Sequence, residues 1–135
     1  MYIELPERLK EIIREKVQKN VAEVFRCDET WYFAATEMIL MYLKEFKDVK
    51  TEKEFKKEVE FLWWNSRPAT SQHPIRDALY GHAGTPETKT YKIMHRTNFG
   101  CMDVSVVKYV AQALHISPDV WENVRFLYEE NKEAE

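Results

Sequence analysis

Apolar residues recur every three or four positions through the first part of the chain. Leu5, Leu9, Ile12, Ile13, Val17, Val21, Val24 and Phe25 mark one face, Lys16 falls among them, and charged residues fill the other side. That period predicts an amphipathic helix over about Pro6 to Arg26. Pro6 suits its first turn, where a missing N–H costs nothing. The pattern then changes. Between Glu29 and Lys47, Trp31, Tyr32, Phe33, Ala34, Ala35, Met38, Ile39, Leu40, Met41, Tyr42, Leu43 and Phe46 leave almost no polar side. Such a helix belongs at the centre of a fold, with Asp28 as its cap. Thr51-Glu52-Lys53-Glu54 has the spacing of a capping box and predicts a third helix over about Glu52 to Ser66. Phe55, Val59, Leu62 and Trp63 form its buried stripe, with Trp64 beside it.

Residues 67–74 (RPATSQHP) interrupt the periodicity with turn-forming residues. They separate an N-terminal helical region, residues 1–66, from a second region, residues 75–135. Ile75 to His82 reads as a short helix followed by Ala83-Gly84-Thr85-Pro86. Residues 87–98 fit two periods. As a helix they put Thr90, Ile93 and Met94 on one face; as a strand, Tyr91, Ile93 and His95 alternate with Lys92, Met94 and Arg96. Pro86 and Glu87 favour the helix. Asp103 caps a further helix with Val106, Val107, Val110, Ala113 and Leu114 apolar. Ser117-Pro118 opens the last, with Val120, Trp121, Val124, Leu127 and Tyr128 apolar, and the acidic tail after Glu129 is expected to fray. The predicted fold class is all-α, a helical bundle.

Composition sharpens this picture. There are only three glycines, all between positions 81 and 100, so long stretches lack a glycine turn and favour helix. Two cysteines are too few for a disulfide scaffold. The apolar run from Trp31 to Leu43 is interrupted by Glu37 and is too short to span a bilayer. The N-terminus has no signal-peptide pattern. The expectation is a soluble, cytoplasmic protein with no membrane partner. Aromatic residues make up 13% of the chain, enough to supply a core and still leave surface for a partner.

The charge is segmented. Residues 1–66 carry 12 Lys/Arg and 14 Asp/Glu, residues 67–115 six and three, and residues 116–135 two and six. The middle segment is therefore net basic between acidic flanks, and it holds all four histidines. A local basic face of this kind can track phosphates although the whole chain is acidic.

Catalytic chemistry finds little footing. Cys27 stands at a helix start, which lowers a thiol pKa, but Asp28 and Glu29 act against that. His73, His82, His95 and Cys101 lack the short paired spacing of metal ligands. Cys101 with His115 lacks an orienting acid and an oxyanion loop. No phosphate-binding or dinucleotide loop is present. The carboxylates sit among lysines on amphipathic faces, as solvated helix surfaces do. These readings predict a non-catalytic protein without metal or cofactor. The Trp63-Trp64 pair is different. Adjacent helical residues point about 100° apart, so one tryptophan can enter the core while its neighbour meets a groove or a protein partner.

The stretch Val110-Ala111-Gln112-Ala113-Leu114-His115-Ile116-Ser117-Pro118-Asp119-Val120-Trp121-Glu122-Asn123-Val124 resembles the ending of Xre-type helix-turn-helix proteins, particularly HigA-type antitoxins, and Tyr128 falls where they often carry an aromatic. The resemblance covers the last third of the chain, or nearly half with residues 75–100. It implies a helix-turn-helix-like region in which Ile75 to His82 is the first helix, Gly84 lies in the turn, and Pro86 to Arg96 is the recognition helix. Thr88, Lys89, Tyr91, Lys92, His95 and Arg96 would then face double-stranded DNA in a homodimeric, antitoxin-like transcriptional regulator. The alternative from a different class is a protein-interaction module or inhibitor, acting on a protein target through Trp63 and Trp64 without DNA.

Overall fold

The computed structural model describes residues 4–18, 29–65 and 104–134. Pro6, in extended conformation at φ −61° and ψ 150°, precedes helix α1 at Glu7–Ile13, and its carbonyl accepts the Lys10 amide at 3.1 Å. Proline fits there because it removes a donor the helix does not use. Arg14–Gln18 continue α1 as a π-helical turn. The described part of the long first helix expected from periodicity is thus an α-helix followed by a π-helical turn. The rest of that expected helix, and Cys27, lie outside the described residues.

Helix α2, Glu29–Glu45, is the centre of the molecule. Every residue from Ala34 to Leu43 is buried, including Thr36 and Glu37. Thr36 satisfies its hydroxyl by donating to the Tyr32 carbonyl one turn back, at 2.8 Å. The helix ends where Asp48 takes a left-handed φ of 50° and the Val49 amide reaches back to the Leu43 carbonyl at 3.0 Å. Aspartate tolerates that backbone better than most residues.

Helix α3, Glu52–Asn65, begins at the expected box with its register altered by one. Thr51 Oγ1 accepts the Glu54 amide at 3.2 Å, as the motif requires, but the Glu54 carboxylate takes the Lys50 amide at 3.0 Å instead of the Thr51 amide. Phe55, Val59 and Leu62 are its buried stripe. Helices α4, Val104–Ile116, and α5, Val120–Ala134, follow. Ser117-Pro118-Asp119 form the joint between them, so α5 starts at Val120, later than the Ser-Pro pair suggested. It continues through Ala134, past the end of its apolar period at Glu129.

Leu9, Ile13, Met38, Leu43, Phe55, Val59, Val110, Leu114, Val120 and Val124 belong to one core, to which each of the five described α-helices contributes. Helix α4 lies against α2 and α3. Phe55 near the start of α3 meets Trp121 of α5 at 5.6 Å, and Trp63 near its end meets Tyr109 of α4 at 6.4 Å. The described residues are all-α, without strand. Among them no helix is long and apolar enough to cross a membrane.

At the joint, Arg8 of α1 reaches Asp119 across 111 positions of sequence. Its Nε and NH2 groups both donate to Asp119 Oδ2, at 3.1 and 2.8 Å, while Ser117 Oγ donates to Oδ1 at 2.8 Å. The Ser117 hydroxyl first, and Arg8 second, hold the Asp119 carboxyl below the usual carboxylate range.

Candidate interaction face on the third helix

The buried stripe of α3 decides which of its side chains face outward. Trp64 lies about half a turn round the helix from Phe55 and Leu62, directly away from the core, and it is 70% exposed. Phe61, one turn earlier, is 52% exposed. Lys53, Lys57 and Glu60 continue the same exposed side towards the N-terminus. Trp63 lies on the flank. It is half-buried, with the Tyr109 ring at 6.4 Å in an edge contact and Lys108 Nζ 5.2 Å from its centroid, and it meets Trp64 edge-on at 6.2 Å. A cation over an indole face is held by the ring quadrupole. Trp63 is thereby fixed from α4, and Trp64 stands on a supported base. The Asn65 side-chain amide donates to the Phe61 carbonyl at 2.8 Å and closes the last turn beneath the pair.

The acids of α3 are mostly directed elsewhere. Glu52 pairs with Lys56 at 2.8 Å, Glu54 is taken by the Lys50 amide, and Glu58 is half-buried. Among the described residues Lys53 and Lys57 form no ion pair. The outward side therefore carries two aromatic rings and two lysines against one carboxylate, Glu60.

Helix α5 presents a second outward face with the opposite charge. Phe126 is 58% exposed, and Glu122 and Glu129 flank it. Arg125 reaches both carboxylates, at 3.0 and 3.9 Å. On its other side α5 borders an open cleft of about 430 Å³, floored by Val49, Trp121 and Tyr128 and edged by Lys44, Asp48, Lys50, Arg125 and Glu129. Tyr128 donates to the Leu40 carbonyl at 3.4 Å, and burial pushes its phenol above the usual range.

The structure thus brings the two predicted interface tryptophans together and divides their work: Trp63 supports and Trp64 projects. Thr88, Lys89, Tyr91, Lys92, His95 and Arg96 lie outside the described residues, as do His73, His82 and Cys101. His115, the remaining histidine, is half-buried, and its Nδ1 has no hydrogen bond among the described residues. Sequence reasoning missed Phe61 and Phe126, although the signal was present. Each sits one position before a stripe leucine, Leu62 or Leu127, and so falls off the buried face. Comparisons with protein families, curated proteins and solved structures find no match to this chain.

Proposed function

We propose that this chain is a binding protein without catalytic activity, and that it docks a protein partner on the outward side of α3. One observation carries the reading: Trp64 stands 70% exposed on a turn that Trp63, Tyr109 and Lys108 hold in place. Tryptophan is the residue most enriched at binding hot spots, and a preordered ring loses little entropy on association. Grouped exposed apolar rings mark interaction surfaces, whereas single ones do not. The chain serves as bait in affinity capture from its own source cells, compared with a Phe61→Ser, Trp64→Ser variant of matched helical content. A protein retained by the native chain and lost with the variant supports the reading. Identical captures with both would refute it.

A second reading is a DNA-binding regulator. It is favoured by the likeness of residues 110–124 to the ending of helix-turn-helix proteins, a stretch that spans the end of α4, the Ser117–Asp119 joint and the start of α5. The implied helix-turn-helix itself, Ile75 to Arg96, lies outside the described residues. The test is affinity for random duplex DNA across a salt series. A regulator binds and weakens as salt rises. Lys92→Ala and Arg96→Ala would each cost about 1–3 kcal/mol if the residue reads a base. Absence of binding at physiological salt removes this reading.

A further inference from the structure

We propose that the outward side of α3 docks on the outward side of α5 in a second copy of this chain. The inference rests on the reading of α3 as a binding face and names its occupant.

Three observations choose that occupant. The first is charge. Lys53 and Lys57 are exposed on α3 beside one carboxylate, Glu60, whereas α5 offers Glu122 and Glu129 against one guanidinium, Arg125. The two faces are thus of opposite net sign. The Arg125 contacts are between exposed groups and weak, so those carboxylates can exchange partners without a large cost. The second is apolar content. Each face centres on exposed aromatic rings, Phe61 and Trp64 on one and Phe126 on the other, at 52%, 70% and 58% exposure. Rings of this kind gain from being removed from water together. The third is topology. Both helices turn their apolar stripes into one core, through Phe55, Val59 and Leu62 on α3 and Val120, Val124 and Leu127 on α5. Their outward faces therefore point away from that shared core, and a face of one helix is offered the other's counterpart by another chain. A two-fold axis would form the contact twice, since each copy carries both halves.

The experiment is sedimentation velocity of the full chain at tens of micromolar, with circular dichroism as a check on folding. The native chain is expected to sediment as a dimer of the 16.2 kDa protomer. Lys53→Glu with Lys57→Glu should give monomer, and so should Glu122→Lys with Glu129→Lys. Mixing the two monomeric variants should restore a dimer, because both contacts of the mixed pair then join opposite charges, one in the native sense and one reversed. A variant that fails to fold is recognised by its spectrum, and Trp64→Ser then replaces the α3 change with the same expected loss of dimer. A native chain that stays monomeric overturns the proposal while leaving the partner-capture experiment to judge the α3 face. A dimer that survives both charge reversals also overturns it and places the interface elsewhere.

Discussion

Trp63 and Trp64 are neighbours in sequence, and their helical positions give them different surroundings. Trp64 is 70% exposed and meets the Trp63 ring at its edge, so Trp64→Ala should shift stability by no more than about 0.5 kcal/mol. Phe55 is 1% exposed and lies against Trp121, so Phe55→Ala should cost about 3–5 kcal/mol through lost burial and a cavity. Urea denaturation of both variants checks the contrast, and a large loss from Trp64→Ala would show that the ring is structural. Asp119 supplies a pH test. Its carboxyl is held low in the folded chain by Ser117 and Arg8, so its contribution is present above the unfolded value near 3.9 and is lost as pH falls through the lower folded value. The urea midpoints of the native chain and Asp119→Asn should differ at pH 6 and converge towards pH 2. A gap that is unchanged at pH 2 would contradict the assignment. None of this pairing was legible in the sequence, because Arg8 and Asp119 are 111 positions apart and local patterning says nothing about which helix ends meet.

Helices were the most readable level. The all-round apolar run predicted a central helix, and α2 is buried from Ala34 to Leu43 for the reason the pattern gave: no side of it can face water. Boundaries were less legible. Thr51 caps as the spacing implies, yet the Glu54 carboxylate prefers the Lys50 amide, a choice set by loop geometry that residue types alone do not encode. Thr51→Ala should cost about 1 kcal/mol. The end of α2 offers a backbone test. At the left-handed Asp48, glycine removes a steric penalty and alanine retains one. In thermal melts Asp48→Gly should match or exceed the native chain, and Asp48→Ala should fall below Asp48→Gly. An Asp48→Gly variant that melts below the native chain would mean that the Asp48 side chain, 3.5 Å from Lys50, outweighs the backbone, and Asp48→Ala above Asp48→Gly would contradict the left-handed backbone.

For the molecule as a whole, the described helices form one core, and two of them turn aromatic, charged faces away from it. Sequence alone named the tryptophan pair as a candidate interface because two adjacent large rings cannot both enter one helix stripe. The stripe already set Trp64 outside it; that Trp63 would be only half-buried, held on the flank by Tyr109 and Lys108, was not legible, since that depends on where α4 places them. The excess of acids in residues 116–135 was legible, but not that Glu122 and Glu129 would share an exposed face with Phe126. The central claim is that Trp64 leaves water when two copies of the chain associate. Fluorine NMR of the chain labelled with 5-fluorotryptophan tests it most directly, with the Trp64 resonance assigned through Trp64→Phe. In dilute solution that resonance should show a clear H2O/D2O isotope shift, and at high concentration, where association is complete, it should move and lose the isotope shift while the Trp121 resonance stays in place. A Trp64 resonance that keeps the same position and the same isotope shift in both samples would contradict the account.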